Sequence, residues 1–285
     1  MVLMIIAILV VLGLALGSFV NALVWRVHEQ EAQAGKKKPD KEYLKRLSVS
    51  KGRSMCPTCQ HELAARDLVP VVSWLALRGK CRYCGQPISH QYPLVEIALA
   101  ALFVASYGWW PAAFNTTQTA LFGLWLVLLT GLLALLVYDV NWQLLPNRLL
   151  YPLGAIAAAG AVITITTAAR PLTALLNTVT AVIVGGGVFY VLFQVSGGKW
   201  IGGGDVKLGW LLGLVAGTPA RSLLFIFLAA LGGSLLSLPL LATGRLKRDS
   251  IIPFGPFLIL ALIIVQLFGH SILFWYQRTF LAFTG

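Results

Sequence analysis

Two groups of residues in this 285-residue chain have the types and spacing to do chemistry. The first is its four cysteines, arranged as Cys56-Pro-Thr-Cys59 and Cys81-Arg-Tyr-Cys84-Gly85 with 21 residues between the pairs. Paired C-x2-C turns at about this separation read as a zinc ribbon, each pair gripping one side of the ion. Four thiolates complete a tetrahedral Zn²⁺, so the site is closed and structural rather than hydrolytic. Gly85 supplies permissive backbone after the second pair. Two disulfides are the competing reading, and a reducing compartment disfavours them. His61 is either a substitute ligand or a surface histidine.

The second group is Asp139 and Asp205. The chain has only ten acidic residues, six of them in the polar stretch 26–92. Asp139 ends the apolar run 132–138, and Asp205 follows Gly202-Gly203-Gly204 just ahead of another. A carboxylate at membrane depth is costly, and by default it marks a functional site. Either acid alone could equally be a helix-end or helix-cap carboxylate. If the two meet, carboxylates ~4 Å apart at an effective dielectric of ~20 repel by about 4 kcal/mol. One then keeps its proton while the other ionises, the division of labour of metal-free aspartyl peptide hydrolysis. Lys207 is either a cationic neighbour for Asp205 or a membrane-interface lysine. The three glycines let an extended peptide approach closely, and proline at 146 should break the helix near Leu145.

These residues hang on a membrane scaffold. The chain is 58% hydrophobic and 11% charged, with mean hydropathy +0.81. A helical span needs about 20 apolar residues, and the runs are continuous rather than alternating, which excludes a closed barrel. The reading is an all-α polytopic membrane protein of about eight transmembrane helices, with a small cytoplasmic zinc-ribbon-like domain between the first two. The spans fall near 2–25, 93–110, 118–138, 149–168, 173–195, 206–217, 221–242 and 254–277, the sixth being short. The first lacks a charged n-region and reads as an uncleaved anchor. Gly185-Gly-Gly187, inside an apolar run, reads as close helix packing.

The net charge of +12 is concentrated, not diffuse: residues 26–92 carry 13 Lys/Arg against 6 Asp/Glu. That is a positive-inside topology signal rather than a nucleic-acid footprint. It places the N-terminus outside and the long loop, Asp139 and Asp205 at the cytoplasmic face. Residues 28–50 are expected to be mobile, with Lys36-Lys37-Lys38 touching anionic lipid.

Longer motifs now stand in order: Gly17-Ser-Phe-Val-Asn21 with Arg26, Arg53-Ser-Met-Cys-Pro-Thr-Cys59, Pro70-Val-Val-Ser-Trp-Leu-Ala-Leu-Arg-Gly-Lys-Cys81, Tyr92-Pro-Leu-Val-Glu96, Asp139 with Leu145-Pro146, Gly202-Gly-Gly-Asp-Val-Lys-Leu208 and Ile252-Pro-Phe-Gly-Pro-Phe257. In that order they resemble the type IV prepilin peptidases, the bifunctional leader peptidase/N-methyltransferases of type IV pili and type II secretion, nearly end to end. The resemblance implies a transmembrane aspartic peptidase domain over 93–285, after a first span (1–25) and a cytoplasmic loop (26–92) carrying the tetracysteine domain (56–84). It implies Asp139 and Asp205 as a G-x-G-D catalytic pair in the bacterial inner membrane, removing short leaders from prepilins or pseudopilins. It also implies methylation of the new N-terminal amine with S-adenosylmethionine, an activity the family links to the tetracysteine domain and to the glycine standing here as Gly79. Glu96 takes an acidic family position, to bind the substrate amine or to pair with a loop arginine. Asn141 and Asn147 stand where acids are frequent. An ion-coupled transporter or channel with a zinc-ribbon docking domain, and a peptidase without methylation, are the alternatives. No dinucleotide-type glycine turn is present to place the methyl donor.

Overall fold

A computed structural model describes residues 1–36, 40–49, 51–244 and 252–281, the side chains of the last two excepted. Lys37, Lys38 and the basic residues Arg245, Lys247 and Arg248 lie outside the described residues. The elements, in chain order, are α1 (Val2–Ala34), α2 (Lys41–Arg46), α3 (Val72–Ala76), α4 (Gln91–Gly108), α5 (Thr116–Trp142), α6 (Asn147–Thr167), α7 (Pro171–Ser196), α8 (Gly203–Ala216), α9 (Pro219–Ala242) and α10 (Gly255–Tyr276). They form two compact units, Met1–Gly108 and Trp109–Gly285. The expected all-helical membrane architecture is present. Seven of the described helices, not eight, are long and apolar enough to cross a membrane. The exception is α8: its 14 residues rise only about 21 Å against the ~30 Å of a hydrocarbon core.

In the first unit, α1 and α4 pack together through small residues. A Cβ on Gly13 would fall 2.5 Å from the Ala100 Cα, and one on Gly17 would fall 2.5 Å from the Glu96 Cα. Lipid gives no hydrophobic drive for helix pairing, so close backbone approach of this kind supplies it. Asn21 extends the same seam, donating to the Tyr92 carbonyl at 3.1 Å.

The polar stretch after α1 is more structured than expected. Helix α1 continues through good helix formers to Ala34 rather than ending near residue 25. Asp40 caps α2 by accepting from the Glu42 and Tyr43 amides, each at 3.0 Å. The buried Arg26 guanidinium donates to the carbonyls of Ser48, Val49 and Gly52. These bonds tie residues 48, 49 and 52 to α1.

In the second unit, α8 is buried against α6, α7, α9 and α10. Glycines make that possible. A Cβ on Gly213 would lie 2.6 Å from the Ala181 carbonyl oxygen, and one on Gly209 the same distance from the Gly185 oxygen. Gly185 and Gly186 meet Gly213 and Trp210 from the α7 side, which bears out the close-packing reading for these two; Gly187 faces no other element. The atoms opposite Gly213 are backbone and cannot swing aside. Gly213→Val is therefore expected to separate α7 from α8, an overpacking cost of about 1–3 kcal/mol or more. Thermal unfolding in detergent should drop by several degrees, and the activity assigned to α8 below should fall with it.

Candidate functional site

The acidic site belongs to the second unit and is assembled by helix ends. Asp139 lies in the last turn of α5, whose neighbours Leu132, Leu135 and Tyr138 are fully buried. That packing fixes the helix and leaves Asp139 only 5% exposed. Helix α5 then stops at Gln143, which takes the left-handed conformation (φ 55°). The break comes a few residues ahead of Pro146, which caps α6, in line with the expected interruption. The turn carries Leu145 onto Gly204, where a Cβ would stand 3.1 Å from the leucine Cβ. The end of α5 and the start of α8 are thus locked together.

Asp205 occupies the first turn of α8 and is half-buried. Its carboxylate accepts the Gly202 amide, so part of its role is to cap its own helix. It is near enough for its charge to act on Asp139. A third element completes the site: the Gly255 amide, at the N-terminus of α10, donates to the Asp139 carboxylate. A Cβ on Gly255 would fall 2.5 Å from the Asp139 Oδ2, so only glycine permits this approach. Lys207 turns away from this group and donates to the Asn147 Oδ1 at 2.9 Å. That contact uses both the lysine and one of the asparagines that replace frequent acids.

The cysteine site belongs to the first unit. The Sγ atoms of Cys56, Cys59, Cys81 and Cys84 lie within 4.8 Å of one another, with Cys56 and Cys84 3.9 Å apart. All four are free thiols, not disulfides. Tetrahedral Zn²⁺ with Zn–S of ~2.3 Å separates its sulfurs by about 3.8 Å, so the donor set fits that ion. The two turns repeat one geometry. In the first, Cys56 donates to His61 and Gln60 to Cys56; in the second, Cys81 donates to Gln86 and Gly85 to Cys81. Isolated antiparallel bridges, Met55 with Glu62 and Lys80 with Pro87, close the two turns. Gly85 takes φ 71°, as the permissive-backbone reading requires, and Gln60 takes φ 56° at the matching place. The Gln86 amide favours the Cys84 thiolate, but burial and the three neighbouring thiols push that group up to about 12. A dication relieves this crowding and displaces the protons. His61 is not in the cluster; its ring lies against Tyr83, the centroids 3.8 Å apart.

Sequence reasoning named Gly79 and Glu96 but missed what surrounds them. Glu96 lines a cavity of about 330 Å³ within the first unit. Its carboxylate accepts from the Val71 amide at 2.7 Å and from Ser18, not from a loop arginine. Gly79 (φ 68°) supports a cavity wall instead of lining it: a Cβ there would stand 2.9 Å from the Trp74 ring. Trp74, Ser18 and Gly255 all sit in motifs quoted from the sequence, yet no local signal gave them a role.

The two sites fall in separate recognised regions. Residues 11–110 match the Bacterial Peptidase A24 N-terminal domain, and residues 126–238 match the Type IV leader peptidase family. The second region contains both aspartates; the first contains all four cysteines, Gly79 and Glu96. The class is therefore a bacterial membrane peptidase with an added N-terminal domain. Across most of its length the chain is similar to curated proteins named prepilin leader peptidase/N-methyltransferase. It is 33% identical to that of Stutzerimonas stutzeri over 92% of this chain and 90% of the relative. It is 34% identical to that of Pseudomonas aeruginosa over 97% and 93%. It is 30% identical to that of Bacillus subtilis over 81% and 88%. No solved structure matches. The chain belongs to the type IV prepilin leader peptidase/N-methyltransferase family.

Proposed function

We propose that this protein removes the leader from prepilins or pseudopilins with Asp139 and Asp205, then methylates the new N-terminal amine. The observation that carries the reading is the meeting of three helix ends around Asp139: its own α5, α8 with Asp205, and α10 with the Gly255 amide. The ionised carboxylate takes a proton from water, and the resulting hydroxide attacks the scissile carbonyl carbon. The protonated carboxyl donates to the carbonyl oxygen. Collapse of the tetrahedral species breaks the C–N bond, and a proton returns to the leaving amine. Family membership selects this enzyme over the transporter weighed from the sequence.

The active site faces the cytoplasm in this reading, and the N-terminus lies outside. Helices α1, α4, α5, α6 and α7 precede α8, so the short helix does not alter the count that places the ends of α5 and α7 on one face. The basic segment after α1 sets its sign. Prepilin leaders are then drawn to anionic lipid beside the site, and raising salt should slow cleavage in anionic vesicles but not in neutral ones. Equal salt dependence in both would remove the lipid from the account.

Methylation needs a methyl donor, S-adenosylmethionine, which supplies an electrophilic methyl to the free amine. The cysteine domain serves this second step, with Zn²⁺ holding its two turns together. Stripping the metal with a strong chelator is expected to abolish methylation and leave most of the cleavage rate. The check is the N-terminal mass of mature product from a vesicle assay on intact precursor. A product that is still methylated after zinc removal would detach the metal from this step.

A further inference from the structure

The cavity in the first unit has neither Asp139 nor Asp205 among its lining residues, and the four-cysteine cluster is complete without it. Its walls include Trp25 of α1, Cys56 and Cys81 of the two turns, Trp74 of α3, and Tyr92 and Glu96 of α4. At about 330 Å³ it falls within the ~300–1,000 Å³ of small-molecule sites. We propose that this cavity binds the methyl donor, an adenosyl sulfonium cation, with Trp74 as an aromatic face and Glu96 as the counter-charge.

The charges of the cavity support this. Both arginines among its lining residues are already engaged: Arg26 by the carbonyls of residues 48, 49 and 52, and Arg82 by Asp67, also of the lining, at 2.7 Å. Asp67 also accepts from the Tyr83 hydroxyl at 3.0 Å; burial opposes its charge, but these partners hold its carboxyl below the usual range. Glu96 is different. It is 5% exposed, and its hydrogen bonds come from an amide and a hydroxyl, neither of which carries charge. A buried carboxylate without a cation is costly. A ligand that brings a cation into the cavity relieves that cost.

The backbone is bent to keep Glu96 in place. Val71 adopts φ 61°, ψ −49°, and the Val72 amide closes the turn onto the Pro70 carbonyl at 2.6 Å. This tight γ-turn is strained for any residue with a side chain and more so for a β-branched one. It aims the Val71 amide at Glu96, and strain of this kind persists mainly where a site requires it. Trp74 is fixed as firmly: its Nε1 donates to the Ile88 carbonyl at 3.1 Å, and Gly79 lies flat against its ring. A sulfonium beside an aromatic face gains from the ring quadrupole, as other cations do. Gly79 then acts as a positioning residue through Trp74.

The proposal rests on the methyltransferase reading, and the test separates the two. Binding of S-adenosylmethionine and of its neutral thioether product, S-adenosylhomocysteine, is measured calorimetrically on the full, zinc-loaded chain in detergent. Trp74→Ala is expected to weaken both tenfold or more. Glu96→Gln is expected to weaken the sulfonium at least tenfold and the thioether less than twofold. That ratio is read within one preparation, so partial unfolding does not move it. Gly79→Ala should weaken both ligands, and Leu75→Ala, on the exposed side of α3, neither. If Glu96→Gln weakens both ligands equally, or Trp74→Ala binds as the parent does, the site is misassigned. Should Trp74→Ala shed its zinc, the Glu96→Gln ratio alone decides. A parent protein that binds neither ligand overturns both this site and the methyltransferase reading.

Discussion

Asp139→Asn and Asp205→Asn are each expected to leave prepilin uncut. The expected loss is at least about 10³-fold, because each change removes one partner of the acid–base couple, and such groups contribute ~10²–10⁴-fold singly and act as a unit. Asparagine keeps the shape of the side chain and cannot exchange the proton. The fold should tolerate it. Asp139 is buried with another carboxylate acting on it, and replacing a buried charge with a neutral isostere relieves desolvation and repulsion. Asp205→Asn retains an oxygen for the Gly202 amide, so the start of α8 keeps its cap. Membrane content and thermal stability should match the parent. Donor binding in the first unit should be untouched, and a synthetic mature N-terminus should still be methylated by both variants. The measurement is the fraction of precursor converted in vesicles of equal protein content. Parent-like conversion by either variant would remove that aspartate from the mechanism, and by both would end the aspartyl reading.

How much of this was legible in the sequence depends on how local each signal is. The cysteine turns were, because each C-x2-C encodes one turn within four residues, although only the second is followed by glycine. The break after Asp139 was, because Pro146 disfavours helix at the residue before it. The shortness of α8 was visible too, but not its packing against four other helices, since Gly185, Gly209 and Gly213 become a seam only when α7 and α8 meet. The extension of α1 to Ala34 was missed: a polar helix held by Arg26 and Gln30 reaching the carbonyls of residues 47–52 has no apolar period. The cavity was the least legible. Its walls come from positions as far apart as 25, 56, 74 and 96, and a valine forced to positive φ has no sequence signature. Glu96 was noticed as an acid in a span, yet its purpose depends on which cations are already taken.

Gly255→Ala is the sharpest test of how the aspartate site is held. The Gly255 amide donates to the Asp139 carboxylate, and the glycine lies so close that an added Cβ would reach 2.5 Å from Oδ2 and 3.6 Å from the Leu208 Cδ2. Either the carboxylate rotates away or α10 retreats from α5 and α8, and both displace the reacting oxygen. A misplacement near 1 Å costs about 10²-fold in rate, so kcat for cleavage should fall by that order. The change adds one methyl group at a helix N-terminus whose backbone angles are ordinary, so any loss of stability should stay within ~1–3 kcal/mol. KM should move little, because the contact that changes is the one with the Asp139 carboxylate. A fall confined to kcat, with the protein still folded and still binding methyl donor, identifies Gly255 as the residue that positions Asp139. A parent-like kcat would mean that the carboxylate can rotate without penalty and that the α10 amide has no part in aiming it. A rise in KM alone would place Gly255 in substrate binding instead.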